Sequence, residues 1–82
     1  MDKQAVQKIS ARWEAGEIGC GQLIVGLQKA LAALQPGENL ELTTHDGGAP
    51  VDIPAWCRMT GHELLASNHP IYVIRKKGDQ HV

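Results

Sequence analysis

The 82-residue chain reads as an α/β (α+β) two-layer sandwich of order β-α-β-α-β-β, with two helices on one face of a four-stranded mixed sheet. Three observations predict it. Residues 21–34 carry apolar side chains at helical spacing. A second helix-like stretch follows Asp52 and is stopped by Gly61. Around these lie short runs of alternating side chains at 39–44 and 71–76, the strand pattern, and 62–67 is expected as a third strand between them. Helices alternating with strands in so short a chain imply one sheet with both helices stacked on the same side.

The first segment, 2–15, carries two patterns at once. Ala5, Ile9 and Trp13 fall at helical spacing, while Ile9, Ala11, Trp13 and Ala15 alternate with Ser10, Arg12 and Glu14. A strand over about 9–15 is favoured, with residues 1–8 a frayed or helical lead. Gly16 and Gly19 bound a tight connection. Leu23, Ile24, Leu27, Leu31 and Leu34 then form the buried stripe of the first helix, with Ala30 beside it. Gln35-Pro36-Gly37-Glu38 ends that helix as a turn.

Asn39 to Thr44 alternates and reads as a strand, and His45-Asp46-Gly47-Gly48 reads as a loop. Asp52 is expected to cap the second helix, with Ile53 and Pro54 in its first turn, where the missing N–H of proline costs least. Ile53, Trp56, Cys57 and Thr60 then share one side, and Gly61 supplies the C-terminal stop. Asn68-His69-Pro70 turns the chain between the last two strands, and 78–82 reads as a flexible tail.

Composition bounds the function. Length allows a single domain, 1–82, with a modest core. There is no Phe, so that core is aliphatic, helped by Trp13, Trp56 and Tyr72. The net charge of −1 creates no global field for nucleic acid or anionic membrane. No apolar run approaches the roughly 20 residues of a membrane helix, and the N-terminus has no secretory signal pattern. A cytoplasmic protein is expected. Two cysteines are too few for the usual disulfide-stapled secreted domain.

The chemistry is expected at Cys20. A cysteine at a helix start faces unpaired backbone N–H groups and the positive end of the helix dipole, and both favour the thiolate. A thiolate is a nucleophile and can also hold a terminal sulfur as a persulfide. Gly19 and Gly21 flank Cys20 without side chains, so another protein's sulfur can approach closely. The competing reading is a helix-start cysteine that only packs. Cys57, beside Trp56 in the second helix, reads as a buried packing residue. Its functional alternative is a resolving thiol for Cys20. Asp46 and Asp52 read as turn and cap residues, with Asp46 alternatively a thiol-tuning or docking carboxylate. His45, His62, His69 and His81 lack the pair spacing of a zinc site, so no metal is expected. Lys3, Lys8, Arg12, Arg75, Lys76 and Lys77 face one side if the chain ends are adjacent, a basic patch able to steer an acidic partner.

Asp52-Ile53-Pro54-Ala55-Trp56-Cys57, followed by Thr60-Gly61-His62-Glu63-Leu64-Leu65, resembles the second-helix region of the TusA/SirA-like sulfurtransferase family. Gln35-Pro36-Gly37-Glu38 is similar to that family's turn, and Cys20 precedes it by the interval of the family's active cysteine. Tyr72 to Lys77 resembles its last strand. The resemblance implies the same β-α-β-α-β-β fold. It also implies a sulfur carrier that takes sulfane sulfur onto Cys20 as a persulfide and hands it to an acceptor protein thiol. Donors would be cysteine desulfurases or rhodanese-like proteins, and no cofactor is required. The chain departs from the family's Cys-Pro-x-Pro hallmark, reading Cys20-Gly21-Gln22-Leu23. Gly21 loosens the thiol's setting and Gln22 adds an amide near it, which points to a different donor or acceptor. A non-catalytic interaction or regulatory module on the same fold is the alternative. A nucleic-acid-binding domain is weaker, since the chain lacks interleaved aromatics and Arg.

Overall fold

A computed structural model describes residues 8–78. The expected lead and tail lie outside the described residues over 1–7 and 79–82, as do Lys3 and His81. The elements run β1 (Ala11–Gly16), α1 (Cys20–Ala32), β2 (Asn39–Thr44), α2 (Ala49–Thr60), β3 (Glu63–Asn68) and β4 (Ile71–Arg75). The order and type match the expectation, and the first segment resolves as the strand.

The sheet order is β1-β2-β4-β3, with β1 parallel to β2 and β4 antiparallel to both β2 and β3. The chain therefore makes two parallel crossovers, β1-α1-β2 and β2-α2-β3. Both move in the same direction across the sheet, and parallel crossovers are right-handed. Each helix is thereby laid on the same face. The core records this: Leu23, Leu27 and Leu31 of α1 and Ile53, Trp56 and Cys57 of α2 are buried against Leu40, Leu42, Tyr72 and Ile74 of the central strands. Ala30 packs at its margin, and so does Leu34, which lies past the end of α1 at Ala32 and not within the helix as its spacing indicated.

The second helix corrects the expectation about Asp52. It begins four residues earlier, at Ala49 and not Ile53, with Gly48 as its N-cap and no side-chain capping bond. The Gly48 carbonyl accepts the N–H groups of both Val51 (3.1 Å) and Asp52 (2.9 Å). Gly-Gly-Ala-Pro reads as a turn in sequence, yet proline is also at home in the first helical turn, where Pro50 lies. Asp52 is instead the acidic residue of that turn, suited to the positive end of the dipole. Pro54 falls inside the helix, and its missing N–H leaves the carbonyl of exposed Pro50 to water. Gly61 closes α2 at φ +90°, its N–H on the Cys57 carbonyl at 2.9 Å, a conformation that suits glycine at this position.

Four of the six basic residues expected on one side are engaged separately. Arg12 pairs with Glu41 at 2.8 Å and Arg75 with Glu63 at 3.3 Å. Lys76 reaches the carbonyls of Leu34 (2.8 Å) and Ala32 (3.4 Å), and Lys77 reaches that of Thr60 (2.7 Å). Two adjacent lysines after β4 thus neutralise the C-terminal ends of both helices. No helix among the described residues is long and apolar enough to cross a membrane.

Candidate functional site

Because β1 and β2 are parallel and each feeds a helix, α1 and α2 both begin at one end of the sheet. The loop after β2 is tied to the end of β1 by His45 N–H on the Gly16 carbonyl (2.8 Å), and to the β3–β4 turn by Thr44 N–H on the Pro70 carbonyl (2.9 Å). The β1–α1 connection, the 45–48 loop and the His69-Pro70 turn therefore form one rim. This is the end, beyond the carboxyl ends of the parallel strands, where α/β folds place ligands and reactive groups.

Cys20 is the first residue of α1, with extended Gly19 (φ −71°, ψ 167°) as N-cap. That cap makes no side-chain hydrogen bond, and the first turn holds no acidic residue. Gly19 thus offers no side chain to the N–H groups at the start of α1, and no first-turn carboxylate offsets the positive end of the helix. Gly19, Gly21 and Gln22 are exposed, and a Cβ built on Gly19 or Gly21 meets nothing within 4 Å. An open groove of about 630 Å³ continues from Gly21 and Gln22 past Ile18 and Val25.

The lost prolines have a structural counterpart at Leu23. Its N–H donates to the Gly19 carbonyl at 2.8 Å, the first hydrogen bond of α1, and its side chain is fully buried. Proline there could make neither the bond nor the same core contact. The turn after Cys20 is thus held by a hydrogen bond and a buried leucine.

Asp46 lies on the same rim, half-buried. Its N–H donates to Thr44 Oγ1 (3.2 Å), its carbonyl accepts the Ala49 N–H (3.1 Å), and Oδ2 is buried without a hydrogen-bond partner. Sequence spacing gave no hint of what stands nearby. Tyr72, fully buried, has its hydroxyl 2.6 Å from His69 Nδ1, and burial together with the Asp46 charge raises its pKa. Only the pairing of β2 with β4 joins residues so far apart in the chain.

Cys57 is a free thiol, 3% exposed, and burial pushes its pKa up to about 11. It is eight residues along α2 from Ala49, roughly 12 Å from the rim at 1.5 Å per residue. Its burial agrees with the packing reading. His62 lies at the far end too. Its ring stacks on Trp56 (centroids 5.3 Å apart) and its Nδ1 accepts the Lys77 N–H at 3.1 Å. His45 is exposed at the rim. The described residues hold no cluster of three or more metal-ligating side chains.

Residues 18–76 match the sequence pattern of the family described as sulfurtransferase TusA. Two proteins of Neisseria meningitidis, from serogroups A and B and each called a "putative sulfur carrier protein", are 50% identical over 46 residues, 56% of this chain and 62% of theirs. The "putative sulfur carrier protein YrkF" of Bacillus subtilis is 34% identical over 71 residues, 83% of this chain and 38% of that protein. The matched stretch thus spans under two thirds of the length of these relatives.

Proposed function

Because the chain belongs to the TusA sulfurtransferase family, we propose that it is a cytoplasmic sulfur carrier that holds sulfane sulfur as a persulfide on Cys20. The reading takes 1–82 as one domain of that family. The observation that carries it is the placement of Cys20 as first residue of α1, at a helix start with no side-chain cap and no first-turn acid.

The steps balance without a redox partner. The Cys20 thiolate attacks the terminal sulfur of a donor protein's persulfide. A new S–S bond forms at Cys20, the donor's S–S bond breaks, and the donor cysteine leaves as thiolate. An acceptor thiolate then attacks the terminal sulfur on Cys20, and the Cys20 thiolate leaves in turn. The N–H groups at the start of α1 stabilise the negative charge present before and after each exchange. The exposed, side-chain-free flanks at Gly19 and Gly21 admit the partner's sulfur in line. Gln22, two residues on, supplies a side-chain amide to the same helix start. A cysteine desulfurase or a rhodanese-like protein is the donor class and a protein cysteine the acceptor.

Intact-mass measurement after exposure to a persulfidated donor tests this. The expected result is an adduct of ~32 Da, one sulfur atom, reversed by thiols and acceptor proteins. It should vanish in Cys20→Ala and persist in Cys57→Ala. No adduct, or one indifferent to Cys20→Ala, refutes the reading. The loss of both family prolines favours a second reading, a non-catalytic interaction module. That reading predicts an alkylation profile for Cys20 with the ordinary pKa of about 8.5, against a lowered one for the carrier.

A further inference from the structure

β1 is an edge strand: β2 takes one side of it, and no described residue pairs with the other. The directions of its backbone groups follow from its neighbour. Alternate residues of β2 turn to opposite sides, Thr44 N–H to Pro70 beside β4 and His45 N–H to Gly16 at the end of β1. By the same alternation Glu41 and Thr43 face β1. Glu41 lies opposite Arg12, so in a parallel ladder its N–H and C=O bond to residues 11 and 13. The N–H and C=O groups of Arg12 and Glu14 are thereby left pointing to the open edge.

An added antiparallel strand must meet those groups with its own. Consider a second copy of β1, whose sequence around Trp13 is Ala11-Arg12-Trp13-Glu14-Ala15. A two-fold register centred on Arg12 sets Arg12 against Arg12, and one centred on Glu14 sets Glu14 against Glu14. Like charges directly opposite are destabilising. The register centred on Trp13 sets Arg12 against Glu14 twice, and it also matches outward backbone groups with outward backbone groups. Arg12 already holds Glu41 on the open face of the sheet, and its five donors can serve a second carboxylate. Glu14 is exposed and carries no ion pair among the described residues. The irregularity of β1 falls between Glu14 and Gly16, beyond this three-residue register.

The other side of the strand is mostly apolar, with Lys29 beside the groove that runs there. Half-buried Trp13 floors an open groove of about 470 Å³ between β1 and α1, walled by Gly26, Ala30 and Ala33. In the same register Trp13 meets Trp13 of the second copy as the close, non-hydrogen-bonded pair, and the two grooves abut.

We propose that the open edge of β1 is a homodimer interface, on which a second copy of this chain adds its β1 antiparallel with Trp13 at the two-fold axis. The two sheets join into one of eight strands. Because the joined strands are antiparallel, the Cys20 ends of the two copies lie at opposite ends of the joined sheet and both stay open.

Sedimentation velocity on the full 82-residue chain from micromolar to millimolar concentration tests the proposal, with far-UV circular dichroism to verify folding. The expected result is a concentration-dependent dimer, weakened at least about tenfold by Arg12→Glu or Glu14→Arg, since the two-fold counts each change twice. Glu14→Arg leaves the Arg12–Glu41 pair in place, so it separates interface loss from misfolding. Mixing the two variants should restore a one-to-one heterodimer. The new acid of one copy then faces the new base of the other, and the unchanged Glu14 of the first faces the unchanged Arg12 of the second.

A monomer at every concentration overturns the proposal, as does a dimer indifferent to both charge reversals. Hydrogen exchange gives an independent readout. The Arg12 and Glu14 amides should exchange freely in dilute protein and be protected in concentrated protein. Protection already present in the monomer would mean that the edge is covered by residues 1–7 or another segment of the chain, and would also overturn it.

Discussion

Two glycines of α1 receive the same substitution with opposite expected signs. Gly21 and Gly26 are both helical. Replacing either with alanine gains ~1 kcal/mol of helix propensity. At Gly21 the new Cβ meets nothing within 4 Å. At Gly26 it would lie 2.8 Å from Trp13 Cζ2 and 3.2 Å from Cζ3, with Cη2 closer still. Carbon atoms in contact prefer ~3.5–4.0 Å, so the indole or the helix must shift. A rigid ring pressed against backbone sits toward the upper end of the ~1–3 kcal/mol cost of overpacking. After the propensity gain, Gly26→Ala should lose ~1–2 kcal/mol, a fall in Tm of roughly 4–16 °C, while Gly21→Ala should raise Tm by roughly 4–8 °C. Urea unfolding monitored by circular dichroism measures both. Trp13→Val supplies the control: without the indole, Gly26→Ala should turn stabilising by ~1 kcal/mol. If Gly26→Ala stabilises the parent chain, or if its cost survives the loss of the indole, the close approach of α1 to β1 is not what holds this position.

Thiol reactivity, pH and the start of α1 give three further expectations. With iodoacetamide at neutral pH one thiol should react in the native protein, and peptide mapping should place it at Cys20. Cys57, buried and with its pKa pushed up to about 11, should label only on unfolding; native labelling of Cys57 would contradict the packing role. Burial and the charges of Lys77 and Lys76 lower the pKa of His62, so the unfolded state binds the proton first as pH falls through about 6.5. The His62 contribution to stability is therefore full above that value and declines below it. His62→Phe, which can keep a stack on Trp56, should flatten the pH dependence of the urea midpoint between neutral and mildly acid pH, and an unchanged slope would count against this assignment. Leu23→Ala should cost ~2–5 kcal/mol for the buried side chain. Leu23→Pro should cost at least as much, because it also removes the Leu23–Gly19 hydrogen bond; a neutral outcome in thermal unfolding would show that the turn after Cys20 is held by something else.

Much of the fold was legible because its elements announce themselves locally. The stripe from Leu23 to Leu34, the alternation of Asn39 to Thr44 and the stop at Gly61 each follow from periodicities of 3.6 and 2 or from glycine's tolerance of positive φ. Asp52 misled because a good capping residue and a good first-turn residue are the same amino acid. The choice between them was made at Gly48, whose carbonyl bonds two successive N–H groups. For the basic residues sequence shows charge and not direction: Arg12 and Arg75 face carboxylates across the sheet, while Lys76 and Lys77 turn to the helix ends.

For the candidate site, sequence alone determined that Cys20 stands at a helix start between glycines and that Cys57 falls on an apolar helix face. Those properties depend on neighbours within a turn or two of the chain. Tertiary structure decided what no local pattern contains. It set both helix starts on one rim, left the first turn of α1 held by Leu23, and brought Asp46 near the Tyr72–His69 pair. It moved Cys57 away from that rim and, among the described residues, left one edge of β1 unpaired. Each of these depends on strand order and register, which are fixed by the burial of one sheet face as a whole and not by the residues that come to lie side by side.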